Sequence, residues 1–335
     1  MDVDVPGLEL GTAQAKEEIH FSGGLRGART DQGWVLFPVS DDPEADAVVF
    51  KSSDAHFAFA TKECGARYLG ACITYRSGPN SPPMDAWEFG ARDPANGLGA
   101  ADSWSAICRQ AHRAGDMRYA EKASFVAANL RGAGLKLRDV SNGYHEQLRW
   151  ALADKTPPGR WFSNAALQSV YANFHALASE LFSARDHLAA VVGMHVGAPE
   201  RINGLSRLED WISAETRQNS AQEPMVRLIL DALGSETAPG WLRRLGDVRN
   251  EMLHRVPMSA NRSVASLVLE ARLTTMGDVT TIRMGKPPGD STSSFGHMQD
   301  PLIEFGWLSG SLELLCRSMW KFAKYSPELP ILTVR

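Results

Sequence analysis

The chain is poor in cysteine, has no long apolar run and carries no excess of one charge sign. Its 335 residues include only Cys64, Cys72, Cys108 and Cys316, with no CxxC pair and no other zinc-type spacing. Neither a disulfide scaffold nor a zinc-ligand motif organises such a chain, and four reduced thiols are expected. No uninterrupted apolar stretch approaches the roughly 18 residues that a bilayer-spanning helix needs. The first residues, Met1, Asp2, Val3, Asp4, Val5, Pro6 and Gly7, lack the basic and apolar regions of a secretory signal. A soluble, cytoplasmic protein without a membrane partner is therefore expected. Lys+Arg number 35 and Asp+Glu 39, a formal net charge of -4. No whole-molecule field then draws the chain to nucleic acid, and any polyanion site has to be a local patch. Internal repeats and low-complexity tracts are missing as well, which sets aside solenoid and fibrous classes.

What is present is ordinary globular material, 44% hydrophobic and 22% charged, in two textures. Between positions 19 and 76, β-branched and aromatic residues come in short runs at 34–39, 47–50, 56–60 and 68–75, with Gly, Asp and Pro between them. This pattern predicts a small β-rich module. Residues 77–83 and then 92–99 are turn-rich and aperiodic, an irregular connection that places a domain boundary near residue 100. From Asp102 the period becomes helical. Segments 103–113, 117–131 and 142–154 read as amphipathic helices interrupted by glycine. The longest helix is expected over about 163–195, with a stripe of Leu167, Val170, Phe174, Leu177, Leu181, Leu188 and Val192. Shorter helices are expected at 205–214 and 224–233, and another from Pro239 to Val256, where Pro257 ends it. Two β-forming runs, 265–276 and 279–284, flank Gly277-Asp278 and predict a hairpin with a two-residue, Gly-first turn. A polar loop over 286–297 and a final helix over 301–325 complete the chain. The fold class is α+β: a β-rich module over 1–100, then a helical region over 101–335 with an inserted hairpin at 265–284.

The chemistry concentrates on the helix that starts at Trp241. On a wheel of about 100° per residue, Trp241, Leu242, Leu245, Val248, Met252, Leu253 and Val256 form one apolar arc, and Arg249 falls inside it. A guanidinium keeps its proton, so an arginine on a burying face needs a partner or a wet cleft. Asn250 and His254 share a neighbouring face. Arg249 and His254 lie about 140° apart, so joining them takes long-arm reach or the same helix from a second protomer. Arg243, Arg244, Arg249, Arg255 and Arg262 stand against Asp247 and Glu251, a local excess of three positive charges fit to meet a polyanion.

The run Arg249-Asn250-Glu251-Met252-Leu253-His254 resembles the signature of HEPN domains, an Arg, a polar neighbour, a short spacer and a His on a core helix of an α-bundle. Residues 183–189, Ser-Ala-Arg-Asp-His-Leu-Ala, resemble the first core helix of such domains, and a closing helix follows the motif. The resemblance covers about 142–335. It implies a metal-independent endoribonuclease without cofactor, acting as a homodimer in which two Arg/His pairs line one cleft. Arg249 would bind the scissile phosphate and stabilise the phosphorane. His254 would be the general acid and base, and Asn250 would hold His254 or the phosphate. The 2'-hydroxyl of the RNA would attack, leaving a 2',3'-cyclic phosphate and a 5'-hydroxyl. Such domains serve as toxins or in anti-phage defence, which brings an antitoxin or second subunit into view as a partner. Toxins of this family silenced by nucleotidyltransferase antitoxins carry a Tyr two residues after the His; Val256 stands there, which puts that mode of control in doubt.

Other readings compete. A non-catalytic HEPN-like module would bind RNA, a nucleotide or a protein partner, and an unrelated helical interaction protein would carry the motif by accident. Arg249 would then pair between helices and His254 would sit satisfied at the surface. Arg185, also inside an apolar stripe, favours pairing, although in a HEPN fold it would come near the cleft. His187 and His195 lack a carboxylate at ligand spacing, so no metal site is expected. Residues 23–27, Gly-Gly-Leu-Arg-Gly, lack the Lys-Ser/Thr of a P-loop and read as a turn. Cys64 and Cys72 read as core residues, and Trp34, Trp87 and Trp104 as packing residues.

Overall fold

The computed structural model describes residues 16–40, 46–75, 82–89, 98–250, 252, 266–285 and 300–327. It is mixed α+β, an antiparallel sheet followed by a helical region. The sheet consists of β1 (Lys16–Phe21), β2 (Arg26–Thr30), β3 (Gly33–Phe37), β4 (Val48–Phe50), β5 (Tyr68–Tyr75) and β6 (Met84–Glu88), in the order β4-β3-β2-β1-β5-β6. Every neighbouring pair is antiparallel. The Gly-rich run at 22–24 is the turn between β1 and β2, and Gly23 and Gly24 take φ of +76° and +83° there. Residues 56–60 are not a strand. Helix α1 (Ser53–Ala58) starts at Ser52, whose hydroxyl accepts from the Ala55 amide at 3.2 Å, and a π-turn over Phe59–Glu63 extends it. β6 lies between the two stretches expected to be irregular, 77–83 and 92–99, where no element was expected.

The helices are α2 (Ala100–Arg113), α3 (Met117–Ala153), α4 (Leu167–His195), α5 (Leu205–Ile212), α6 (Pro224–Leu233), α7 (Trp241–Asn250) and α8 (Pro301–Trp320). The two helices expected at 117–131 and 142–154 are one helix of 37 residues. Its glycines do not break it, because they are where neighbours come close. A Cβ on Gly132 would lie 2.7 Å from Glu180 Oε2, and one on Gly143 would lie 2.5 Å from Val170 Cγ2. Both neighbours belong to α4, so α3 and α4 pack closely at these points. The last helix ends at Trp320, and Lys324 and Tyr325 then fold back to bond Asp116 at 2.7 and 3.0 Å.

The second sheet has the order β7-β8-β9, from β7 (Trp161–Phe162), β8 (Ser266–Thr274) and β9 (Gly277–Gly285). Its hairpin turns at Thr275-Met276, two residues before the expected Gly277-Asp278, since Thr274 pairs with Gly277. The Thr274 hydroxyl sets this position by donating to the Gly277 carbonyl at 2.6 Å and accepting from the Met276 amide at 3.2 Å. Glu63 Oε2 then accepts from the amide and hydroxyl of Thr275 at 2.8 and 2.6 Å. The Thr280 amide donates to the Val39 carbonyl at 3.1 Å, so the hairpin is docked on the N-terminal sheet.

One apolar core runs through the whole molecule. Phe21 and Leu36 of the sheet, Trp104, Leu137, Tyr144, Phe174, Leu245, Leu269 and Phe305 are all at most 1% exposed and belong to it. A buried polar bolt ties sheet to bundle. Fully buried Arg26 donates to Ser141 Oγ at 2.9 Å and Asn142 Oδ1 at 3.1 Å, and its Nε lies 3.0 Å from Glu18 Oε1. Burial is the main force lowering its pKa to about 10, and Glu18 opposes it. Among the described residues, no helix is long and apolar enough to cross a membrane.

Candidate functional site

Helix α7 is seated by Leu242, Leu245 and Val248, at three-residue spacing and at most 1% exposed, and Met252 is buried too. This stripe fixes where its arginines point. Arg243 reaches Glu209 of α5, and Arg244 Nε lies 2.6 Å from Glu304 Oε1 of α8. The positive excess expected along this segment is therefore partly cancelled, as two of its arginines brace α7 against its neighbours. Arg255 and Arg262 lie outside the described residues.

Arg249 is held differently. Half-buried, it sits over the ring of Phe182 from α4, with Cζ 4.4 Å from the centroid, and its Nη1 donates to Asn250 Oδ1 at 3.1 Å. An aromatic ring is thus one partner of this arginine, an attraction of about 0.5–2 kcal/mol. The same ring carries Arg185, whose Cζ lies 3.7 Å from the centroid. Arg185 is buried, and its Nε and Nη2 donate to Asp186 Oδ1 at 3.2 and 2.9 Å. That oxygen also accepts from the Leu205 amide at 3.2 Å, at the start of α5. A Cβ on Gly246 would stand 3.1 Å from Arg185 Nη1, so the guanidinium reaches α7 one turn before Arg249. Burial lowers the Arg185 pKa most, Asp186 raises it and Arg249 lowers it further. A guanidinium nonetheless keeps its charge at neutral pH.

Of the three residues expected to carry chemistry, the structure places two. Arg249 lies at the α4–α7 contact, and exposed Asn250 turns its carbonyl to Arg249. His254 lies outside the described residues, as do Glu251 and Leu253. Arg185 comes to the site through the shared ring. Phe182 was missed altogether; its signal was its place three residues before Arg185 on one helix face. His187 turns to α3, with its ring 4.9 Å from that of Phe125, and His195 Nε2 lies 3.0 Å from the Tyr119 hydroxyl. Among the described residues, no group of three His, Cys, Asp or Glu is placed to hold a metal ion.

A second polar cluster has the look of a proton relay and lacks the access. His20 Nδ1 lies 3.3 Å from Ser141 Oγ, and its Nε2 lies 3.6 Å from Glu18 Oε1. His20 and Ser141 are 2% and 0% exposed, and Arg26 already donates to that hydroxyl. Burial, with Arg26 next, pushes the His20 pKa down to about 2, so its ring stays neutral. The cluster holds β1 and β2 to α3. The chain matches no protein-family model, no curated protein and no solved structure.

Proposed function

We propose that the protein is a metal-independent endoribonuclease of HEPN type, working as a homodimer in the cytoplasm. What supports this reading is the half-buried Arg249 at the α4–α7 contact, carried on an aromatic ring beside a second guanidinium. A paired guanidinium site suits a phosphodiester, since arginine offers planar donors to two phosphate oxygens at once. In the reaction, the RNA 2'-oxygen forms a bond to the adjacent phosphorus and the bond from phosphorus to the 5'-oxygen breaks. His254 takes the proton of the 2'-hydroxyl and returns one to the departing oxygen. Arg249 stabilises charge on the phosphorane. Asn250 positions Arg249 through the 3.1 Å bond between them. The products are a 2',3'-cyclic phosphate and a 5'-hydroxyl. A role in a toxin or anti-phage defence system, with an antitoxin or second subunit, follows from the resemblance of the motif.

The second reading, a non-catalytic HEPN-like module that binds RNA, a nucleotide or a protein partner, draws on the same guanidinium pair. Such a pair attracts an anion whether or not a proton carrier stands beside it. End-labelled RNA incubated in excess EDTA with wild type, Arg249→Ala and His254→Ala separates the two. Cleavage leaving cyclic phosphate, lost in both variants while the oligomer persists, supports the enzyme. Binding without cleavage supports the module, and cleavage that EDTA abolishes overturns the metal-independent mechanism.

A further inference from the structure

We propose that the outer edge of β8 is a docking site for an extended peptide in which an acidic residue stands between two apolar ones, a surface apart from α7 and independent of the ribonuclease reading. β9 pairs with β8 from Ser266 to Thr274, whereas β7 covers only Leu267 and Val268. The Leu269 carbonyl faces outward, where it accepts from the Gly159 amide at 2.8 Å. Main-chain groups alternate sides along a strand, so the amides and carbonyls of Ala271 and Leu273 face the same way. Among the described residues no strand pairs with them. This edge opens onto a cleft of about 500 Å³, lined in part by Pro158, Gly159 and residues 269–272. Such a row of main-chain donors and acceptors is the template to which an extended peptide adds as a further strand.

The template is rigid. Glu63 holds the tip of the hairpin at Thr275, and the Thr280 amide is bonded to Val39 on the N-terminal sheet. An added strand therefore loses only its own freedom. The side chains set what fits, since they alternate between the two faces. On one face Leu273 is 82% exposed and Ala271 is exposed beside it, so apolar residues opposite them gain by covering apolar surface. Arg272 stands between them on the other face. Its guanidinium is laid against the backbone of Gly65, where a Cβ would stand 2.8 Å from Cζ. Among the described residues Arg272 has no carboxylate partner, because the acids around it are engaged or turned away. Glu270 lies 2.7 Å from Arg283, Glu63 accepts from Thr275, and Asp278 sits opposite Leu273 on the other face. Charge complementarity thus selects Asp or Glu opposite Arg272.

The test uses a fluorescein-labelled peptide, Ser-Thr-Val-Glu-Val-Thr-Ser, whose sequence is the same in both directions. Its binding to the full chain is read by anisotropy, beside a peptide with Lys in place of Glu and one with both valine amides N-methylated. Wild type is expected to prefer the Glu peptide to the Lys peptide by about fivefold, and Arg272→Glu to reverse the preference. N-methylation removes the donors that face β8 and is expected to abolish binding. Leu273→Pro is expected to do the same from the protein side, in a position where an edge strand accepts proline because the lost amide points outward. Bound peptide is expected to slow hydrogen exchange over residues 270–274. Failure of wild type to bind, equal affinity for the Glu and Lys peptides, or binding indifferent to N-methylation would overturn the proposal. Should Leu273→Pro unfold, the N-methylated peptide decides the matter on wild type alone. Sedimentation in which wild type self-associates and Leu273→Pro does not would assign the edge to a second copy of the chain and overturn the peptide. None of these outcomes depends on whether RNA is cut.

Discussion

Replacing His56 with leucine is expected to make the protein markedly more tolerant of mild acid. His56 is fully buried in α1, and among the described residues neither of its ring nitrogens has a hydrogen-bond partner. Its ring centroid lies 5.6, 5.5 and 5.7 Å from those of Phe21, Trp34 and Phe50. Gly27 closes the cage, since a Cβ there would stand 2.3 Å from the imidazole. This burial pushes the His56 pKa down from 6.5 to about 4. The unfolded chain takes up a proton below pH 6.5 and the folded one does not until about pH 4. Stability from His56 is therefore complete above pH 6.5 and is lost as pH falls toward 4. At pH 5 the loss is about 2 kcal/mol, one and a half pH units at about 1.4 kcal/mol each. The wild-type profile alone hides this effect. His20 and His145, lowered to about 2 and about 4 mainly by burial, act in the same direction. Asp300 and Glu313, raised to about 7 by burial, hold protons in the fold and favour it as pH falls. The readout is the difference between wild type and His56→Leu in urea unfolding followed by circular dichroism at pH 7.5 and pH 5.0. That difference is expected to move by about 2 kcal/mol toward the variant. Parallel losses in the two proteins would show that the cage admits water or a proton, and the reasoning would fail.

Gly143→Ala sets a methyl 2.5 Å from Val170 Cγ2 and is expected to cost about 1–3 kcal/mol by overpacking. Adding Val170→Ala is expected to recover part of it, which thermal denaturation of the four proteins of the double-mutant cycle would measure. Asp300 accepts from the Tyr144 hydroxyl at 2.8 Å and the Leu302 amide at 3.0 Å, and its pKa is raised to about 7. Its protonated form is the one the fold prefers, so wild type loses stability from this group as pH rises from about 4 to 7. Asp300→Asn removes that titration. Its stability relative to wild type is expected to rise between pH 4.5 and 7.5, and urea midpoints that stay parallel would count against it.

Much of the fold could be read from local pattern, and the exceptions have local reasons. β5 (Tyr68–Tyr75), α5 and α6 follow directly from their runs of β-formers and their apolar spacing. The segment at 56–60 reads His-Phe-Ala-Phe-Ala, which alternates like a strand. The side chains actually buried are His56, Phe59, Ala60 and Cys64, a helical spacing that becomes visible once Cys64 is included. The glycines of α3 look like breakers because a helix rarely keeps them without a packing reason. That reason is supplied by Glu180 and Val170, on a different helix and far along the chain. β6 lies among prolines and turn residues, and its strand character comes from pairing with β5 rather than from its own sequence.

The site was legible in the same partial way. An arginine inside the apolar arc of α7 announced a constraint, and the wheel located it without naming the group that satisfies it. That group is Phe182, which only the packing of α4 on α7 brings into contact. The difference between this arginine and its neighbours gives the helix its polarity. Arg243 and Arg244, near the start of α7, meet the carboxylates of Glu209 and Glu304, and each pairing cancels a charge while bracing a helix. Arg249 rests on the face of Phe182 and donates to the side-chain oxygen of Asn250. Phe182 carries Arg185 as well, so the contact of α4 with α7 is built from two guanidinia on one ring, a grouping that no single helix shows in its own sequence.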